Sequence, residues 1–215
     1  MKVLIVGGSS SIGRHVVGAF RADDHHVESP SSEVLDVTDS SSIRAYFGCF
    51  ELGLVDVAIF LPGLCPGQPL ERYTDSEMDR AMGVNATGIM KTIRALLPHL
   101  ADGSHILLTS SISAERGSYD PVYAAGKAAL VGLSKSLATH LAPRVRVNVV
   151  SPGLVEGSAM YNDMSKDRQD FHRASSPTRQ LLQGVDLAKI FVDITKPHWR
   201  HLNGAVLSIN GGAHV

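Results

Sequence analysis

Short apolar runs recur along this chain and are separated by longer segments with helical patterning. Runs of this length, bounded by Gly, Pro, Ser or Asp, are typical of strands that are buried on both faces. They constrain the fold more than any other feature, because strands of this kind need covering helices. The predicted strands are Val3–Val6, His25–Glu28, Val34–Val37, Val55–Leu61, His105–Ser110, Arg144–Val150 and Ala205–Ile209.

Helix signals lie between these strands. The clearest is the Asp120-Pro121 pair, a good N-cap and first helical residue, which predicts a helix to about Leu141. Strands that alternate with helices indicate an α/β domain. We therefore predict one domain over residues 1–215, a doubly wound, Rossmann-like parallel sheet with helices on both faces. The other predicted helices are Ile12–Ala22, Ser41–Phe50 after an Asp39 cap, and Asp75–Leu100, bent near Gly83 or Gly88.

The connection between the second and third predicted strands is unusually short. Residues 29–33 cannot hold a crossover helix, and parallel neighbours need a dozen or more connecting residues. We expect either that these two strands are not direct neighbours or that they join in an unusual way. One consistent arrangement has lost the helix that would normally connect them.

Composition narrows the classes of function. The 215 residues have a net charge of -1, so charge gives no reason to expect binding to nucleic acid or to an anionic membrane. No apolar stretch suits a signal peptide or a membrane span, and we expect a cytoplasmic protein. Two cysteines cannot form a disulfide framework, and we expect no metal site, since the His198 and His201 pair lacks further ligands.

A glycine-rich loop follows the first predicted strand and leads into a helix. Backbone N–H groups and the positive helix end are what the pyrophosphate of a dinucleotide needs. Gly7 would make the tight turn, Gly13 would let helix and strand pack closely, and Ser11 would offer a hydroxyl to phosphate. The alternative is a simple Gly-rich turn. The predicted cofactor contacts here are Gly7, Ser9, Ser10, Ser11, Ile12 and Gly13.

Tyr123 and Lys127 lie four residues apart at the start of the strongest predicted helix, and therefore on one face of it. An ammonium about 4 Å from a phenol favours the phenolate by about 4 kcal/mol at an effective dielectric near 20. We expect it to lower the phenol pKa by about three pH units, toward the range of a general acid or base. By itself, a Tyr-x-x-x-Lys pair is common by chance.

The glycine-rich loop, Ser111 and Asn85 support a catalytic reading of the pair, and Asp36 is a separate candidate for a cofactor contact. Ser111 ends an apolar strand, at the sheet edge where ligands bind, although such residues also form ordinary turns. Asn85 lies within a predicted helix, where its propensity is poor, and is either exposed or held by a specific bond. Asp36 could accept a hydrogen bond from an adenine amino group, or could be only a turn residue.

Together these residues resemble the short-chain dehydrogenase/reductase family over essentially the whole chain. The matching motifs are Gly7-x5-Gly13, Asp36-Val37, Val84-Asn85-Ala86-Thr87-Gly88, Thr109-Ser110-Ser111, Tyr123-Ala124-Ala125-Gly126-Lys127, Asn148-x2-Ser151-Pro152-Gly153 and Asn210-Gly211-Gly212. The resemblance implies an NAD(P)-dependent oxidoreductase that interconverts an alcohol and a ketone or aldehyde by hydride transfer.

The resemblance also implies roles for single residues. Tyr123 would be the acid/base, Ser111 would polarise the substrate oxygen, and Lys127 would bind the nicotinamide ribose. Asn85 would hold a water molecule that relays protons through Lys127. The family pattern adds further cofactor contacts at Ser31, Ser32, Asp36, Val37, Leu61, Pro62, Gly63, Pro152, Gly153 and Val155.

Departures from the family pattern leave some questions open. The middle glycine of the cofactor loop is Ser11, and the usual Asn-Asn-Ala-Gly is Phe60-Leu61-Pro62-Gly63. Ser31 and Ser32 stand where an Asp would favour NAD and an Arg would favour NADP, so the choice between NADP and NAD stays open.

Two alternatives to a dehydrogenase remain. The altered Phe60–Gly63 segment is compatible with a non-catalytic nucleotide-sensing protein of the same fold. A sugar-nucleotide epimerase or dehydratase uses the same Tyr-Lys pair, but usually has a larger substrate domain.

We expect a small carbonyl or alcohol substrate that contacts residues 154–183. This segment forms either a mobile lid or a surface helix pair. We also expect the protein to be a homodimer or homotetramer.

Overall fold

The computed structural model describes residues 1–214 and shows a six-stranded parallel sheet in the order β2-β1-β3-β4-β5-β8. A separate two-stranded parallel sheet pairs β6 with β7. The strands are β1 Lys2–Val6, β2 His26–Glu28, β3 Val55–Phe60, β4 Leu100–Thr109, β5 Val145–Pro152, β6 Val155–Glu156, β7 Leu182–Gln183 and β8 Val206–Ile209.

Helices connect these strands. They are α1 Ser11–Ala22, α2 Ser40–Gly48, α3 Asp75–Met82, α4 Gly88–Leu96, α5 Ser113–Arg116, α6 Pro121–His140, α7 Ala159–Asn162, α8 Lys166–Ser175 and α9 Gly184–Asp193. Short 3₁₀ turns cover Leu70–Arg72, Leu97–His99 and Pro197–Trp199, and a π-helical turn covers Gly83–Thr87. None of the described helices is both long and apolar enough to span a bilayer.

Alternating side chains of the strands build one core on each face of the main sheet. In β1, Leu4 and Val6 join the core under α2, α4 and α6, whereas Val3 and Ile5 join the core under α1 and α9. This period-two division is what a strand buried on both faces requires. The predicted doubly wound α/β fold with helices on both faces is confirmed.

The order of the strands fixes where ligands can bind. The chain runs outward from β1 to β2 and then crosses to β3 on the other side of β1. In doubly wound sheets, the crevice at this reversal point, beyond the carboxyl ends of the strands, is the usual ligand site. The loops after β1 and β3 meet there, where the backbone N–H of Leu61 donates to the carbonyl of Val6 at 2.9 Å.

The predicted third strand, Val34–Val37, is wrong. Residues 29–39 form turns that lead directly from β2 to α2. The apolar pattern in this segment is real, because Leu35 and Val37 are buried in the core. Both side chains enter the core from turns that local hydrogen bonds hold in place. In one of these bonds, the Leu35 N–H donates to the Ser31 carbonyl at 2.9 Å. Burial therefore gave a strand-like signal without a strand.

The predicted Asp75–Leu100 helix is interrupted by the π-helical turn Gly83–Thr87 and ends at the 3₁₀ turn Leu97–His99. Gly88 restarts the α-helix against the preceding turn segment, where an added Cβ would lie 2.4 Å from the Val37 carbonyl oxygen. β4 therefore begins at Leu100, five residues earlier than the predicted strand.

His105 in β4 predicts a pH dependence of stability. Its ring is 2% exposed, and its nitrogens face the Asn148 amide nitrogen at 2.8 Å and the Arg146 guanidinium at 3.2 Å. Burial, and then the Arg146 charge, lower the pKa of His105 to about 3. The unfolded state, with an ordinary pKa near 6.5, binds the proton first. The contribution of His105 to the free energy of unfolding is therefore fully present above about pH 6.5. As the pH falls from there toward pH 3, this contribution is lost at up to about 1.4 kcal/mol per pH unit.

Urea unfolding between about pH 7 and pH 4 measures this slope. A His105→Gln variant, which removes the titrating ring, should lose stability less steeply than the parent as the pH falls. His140→Gln, at an exposed position in α6, is the matched control. Equal slopes for His105→Gln and the parent would contradict the prediction.

Candidate functional site

The glycine-rich loop stands at the start of α1, as predicted. Gly7 has a φ of +85°, and an added Cβ would lie 3.1 Å from the backbone nitrogen of Pro62. Gly13 packs on the loop so closely that a Cβ would lie 2.4 Å from the Gly7 carbonyl oxygen. Both positions therefore require glycine, one for its conformation and the other for its lack of a side chain.

The first turn of α1 has the donors that an anion needs. The side chain of Ser10 caps the helix by accepting from the Gly13 N–H at 2.9 Å. The N–H groups of Ser11 and Ile12 have no acceptor among residues 1–214, and the turn contains no acidic residue. Free N–H groups at a helix N-terminus fit a phosphate, so the residues present fit a dinucleotide.

Ser11 makes a contact that the sequence did not indicate. Its hydroxyl accepts from the backbone N–H of Ala159 at 3.3 Å, at the start of α7. The cofactor loop therefore touches the segment 154–183, which was expected to bind substrate. Ser9 also accepts a bond, from the Arg14 guanidinium to its carbonyl at 2.8 Å, which holds the loop against α1.

The segment after β3 lies directly over the Lys127 side chain. Lys127 is buried, with 3% of its surface exposed. Its ammonium donates to the carbonyls of Pro62 at 2.9 Å and Thr109 at 3.0 Å. A Cβ on Gly63 would lie 3.3 Å from the same nitrogen. Burial lowers the pKa of Lys127 to about 8.

Asn85 holds the next residue of that segment. Its amide oxygen accepts from the Leu64 N–H at 3.0 Å, and its amide nitrogen donates to the Leu64 carbonyl at 2.7 Å. Asn85 is fully buried on the π-helical turn and packs against Gly126. A Cβ added to Gly126 would lie 2.6 Å from the Cβ of Asn85. The specific bond expected of a buried Asn is therefore with the loop backbone. Its role in a proton relay through water stays a prediction.

Tyr123 and Ser111 complete the cluster. Both are buried, and the Ser111 hydroxyl accepts from the Ser113 N–H at 3.1 Å. Burial raises the pKa of Tyr123 to about 12, and a hydrogen bond from the Ser111 side chain opposes that rise. Smaller upward effects come from Cys65 and Asp120.

The prediction that Lys127 lowers the pKa of Tyr123 is therefore wrong. The ammonium lies 5.9 Å from the centre of the phenol ring and is directed at the Pro62 and Thr109 carbonyls. Spacing on the helix places the two side chains on one face, but the hydrogen bonds decide where the charge lies. Desolvation of the buried phenol then outweighs any attraction.

The structure brings some predicted cofactor residues together and leaves others apart. Pro62 and Gly63 join Lys127 and Asn85, and Leu61 bonds to Val6 at the end of β1. Pro152, Gly153 and Val155 lie at and just after the end of β5. Ser31 and Ser32 are exposed in the turns after β2. None of the hydrogen bonds above connects them to the cluster.

Asp36 serves as a turn residue. One oxygen of its carboxylate accepts from the backbone N–H of Thr38 at 2.8 Å and from the Thr38 hydroxyl at 2.7 Å. The neighbouring Val37 is buried. The contact of Asp36 with adenine stays a prediction.

The segment 154–183 contains β6, α7, α8 and β7. α8 has no buried residue, and it is held by an ion pair between Arg173 and Glu156 at 2.5 Å. The Glu156 carboxylate also accepts from the Gln183 amide, which closes β6 onto β7. Among residues 1–214, no cluster of three His, Cys, Asp or Glu side chains is placed to hold a metal ion.

Sequence reasoning missed a second cluster beside Tyr123. Asp120, predicted only as a helix cap, accepts from the Tyr73 hydroxyl, the Gly67 N–H and the Tyr123 N–H, each at 2.9 Å. The Cys65 thiol lies 3.7 Å from the same carboxylate. The acidic cap was visible in the sequence, but nothing there signalled its partners in the loop.

Comparison with known proteins gives consistent matches. A family model described as enoyl-(acyl carrier protein) reductase matches residues 21–214. The 3-oxoacyl-[acyl-carrier-protein] reductase FabG of Vibrio harveyi is 28% identical over 221 residues, which cover 98% of this chain and 87% of that protein.

Solved structures agree in fold. A short-chain dehydrogenase from Burkholderia cenocepacia in complex with NADP is 27% identical with a TM-score of 0.90, covering 99% of this chain and 97% of its own. A 3-ketoacyl-(acyl-carrier-protein) reductase from Brucella melitensis complexed with NADH superposes with a TM-score of 0.88, covering 100% and 98%. At 24% identity, that second likeness shows the fold alone.

Proposed function

Because this chain belongs to the short-chain dehydrogenase/reductase family, whose members are NAD(P)-dependent oxidoreductases, we propose that it reduces a carbonyl group of a small molecule to an alcohol. In this proposal Tyr123 donates the proton. The observation that carries it is a buried phenol, beside the Ser111 hydroxyl, with a pKa raised to about 12. A phenol with that pKa is protonated at neutral pH, and this is the form that a reduction needs.

The proposed roles follow from the contacts of each residue. NAD(P), when bound, supplies the hydride. The N-terminus of α1 would hold the pyrophosphate through the N–H groups of Ser11 and Ile12, which have no acceptor among residues 1–214. Ser111 donates a hydrogen bond to the substrate oxygen, where negative charge develops, and Tyr123 transfers its proton to that oxygen.

Lys127 and Asn85 support this step by holding the loop over the site. The buried ammonium binds the Pro62 carbonyl, and Asn85 binds Leu64 through both of its amide atoms. Because Lys127 donates to the Pro62 and Thr109 carbonyls, its proton would reach Tyr123 through the water molecule that the family pattern implies at Asn85, and a pKa near 8 suits this return step. We assign residues 154–183 to substrate binding, because Ala159 in this segment contacts Ser11 of the cofactor loop.

The experiment is a panel of carbonyl compounds, each offered with NADH and with NADPH, while nicotinamide absorbance is followed. Because FabG of Vibrio harveyi, which is 28% identical to this chain, is named a 3-oxoacyl-[acyl-carrier-protein] reductase, 3-oxoacyl thioesters are the first substrates to test. We expect turnover with at least one cofactor. Tight binding of cofactor without any turnover would instead support the nucleotide-sensing alternative, which the altered Phe60–Gly63 segment motivates.

A further inference from the structure

Asp120 is a buried carboxylate with more partners than a helix cap needs. Its side chain is 1% exposed and lies at the N-terminus of α6. One oxygen accepts from the Tyr123 N–H at 2.9 Å, which is the capping bond. The other accepts from the Gly67 N–H at 2.9 Å, and the Tyr73 hydroxyl lies 2.9 Å from both oxygens.

A cap alone does not explain a carboxylate at this position. A serine or threonine hydroxyl would satisfy the Tyr123 N–H equally well. Burying a charge is unfavourable unless hydrogen bonds replace the lost water, and here those bonds come from two segments outside α6. The extra bonds therefore point to a role that involves the loop.

That loop, residues 62–69, is fastened at three points. Lys127 holds Pro62, Asn85 holds Leu64, and Asp120 holds Gly67. Two of these three anchors are the polar residues to which we assign supporting roles in the reaction. Asp120 is the third anchor, and it sits three residues before Tyr123 on the same helix.

We propose that Asp120 is a positioning residue, which joins the 62–69 loop to the start of the Tyr123 helix and, together with Tyr73, fixes the phenol relative to the loop. The effect on turnover rests on the proposed function. The mechanical link between loop and helix does not.

The charged and titratable groups around this link come from several elements. Cys65 of the loop faces both Asp120 and Tyr123, and burial, followed by the Asp120 charge, raises the pKa of its thiol to about 11. Burial and the bond to Asp120 also raise the pKa of the Tyr73 phenol. The Cys65 thiol and the Tyr73 phenol therefore keep their protons at neutral pH and can both donate toward the Asp120 carboxylate.

The first test is hydrogen–deuterium exchange of the loop peptide, without cofactor or substrate. Asp120→Ser keeps a capping hydroxyl but cannot bridge to Gly67 and Tyr73, and Tyr73→Phe removes a single hydroxyl while leaving the capping bond between Asp120 and the Tyr123 N–H in place. We expect either variant to speed exchange in the loop about tenfold, the effect of losing a hydrogen bond to a charged group. Tyr119→Phe, at a residue 60% exposed, is the matched control and should change nothing.

The second test is kinetic, with the carbonyl substrate found in the panel. Asp120→Ser should lower kcat by about tenfold to a hundredfold, as expected for a displaced catalytic group, while leaving cofactor affinity within about twofold. In the parent protein, Tyr73→Phe should lower kcat by a smaller factor than Asp120→Ser does. In the Asp120→Ser background, Tyr73→Phe should leave kcat unchanged. This non-additivity is the signature of one shared link.

If Asp120 only capped the helix, the two tests would give different results. Loop exchange and kcat would then match the parent in both Asp120→Ser and Tyr73→Phe, and this outcome would overturn the proposal. If no carbonyl is reduced by the parent protein, the proposed function fails, and the exchange experiment still decides whether Asp120 joins the loop to the helix.

Discussion

Replacing Tyr123 with phenylalanine should remove nearly all carbonyl reduction, lowering kcat by about a thousandfold, while cofactor affinity stays within about twofold. The variant loses one oxygen atom from a side chain that is 8% exposed, so the packing of the ring is retained. What it loses is the proton that the structure keeps on the phenol at neutral pH. Steady-state kinetics and a fluorescence titration with cofactor separate the two effects.

Tyr119→Phe serves as the matched control for this substitution as well, because Tyr119 lies four residues earlier and is exposed. It should leave kcat unchanged. Retention of more than about a tenth of the parental kcat in Tyr123→Phe would rule out Tyr123 as the main proton donor.

Replacing Gly13 with alanine should destabilise the protein by about 3 kcal/mol and abolish measurable cofactor binding. The added Cβ would lie 2.4 Å from the Gly7 carbonyl oxygen and 2.6 Å from the Gly8 Cα. Both are backbone atoms of the cofactor loop, so no side chain can swing away to relieve the contact. The loop must move, and with it the N–H groups that face the pyrophosphate.

Gly18→Ala in the same helix isolates this clash from helix propensity. An added Cβ there meets nothing within 4 Å, and alanine is the better helix former, so stability should stay equal or rise by up to about 1 kcal/mol. Urea unfolding gives both free energies. A Gly13→Ala protein as stable as the parent and still able to bind cofactor would show that the loop tolerates the shift.

Much of the fold could be predicted because its signals are local. The apolar runs at Val3–Val6 and Val55–Leu61 carry the strand pattern within themselves, and Asp120-Pro121 marks a helix start in two residues. The wrong strand prediction for residues 34–37 also came from a local apolar pattern. Its buried residues alternate as in a strand, but a strand also needs a partner edge, which the sequence does not display.

The candidate site shows the same division. The motifs containing Ser111 and Lys127 supply side chains next to Tyr123, and Asn85 packs against Gly126 of the same helix, while the catalytic roles of all four residues stay predictions. The direction of the Tyr123 pKa shift was wrong, since it depends on burial and on which carbonyls bind the ammonium. The Asp120 network was invisible for a related reason, as its partners Gly67 and Tyr73 lie about fifty residues away along the chain.

The π-helical turn at Gly83–Thr87 makes chain length itself a determinant of the site. Such a turn fits an extra residue into a helix, and each residue of an α-helix turns the following side chains by about 100°. Deleting one residue here would regularise the helix and, at the same time, swing the Asn85 amide off the Leu64 backbone. Insertions and deletions in this stretch are therefore expected to be purged during evolution even where every individual side chain is free to vary.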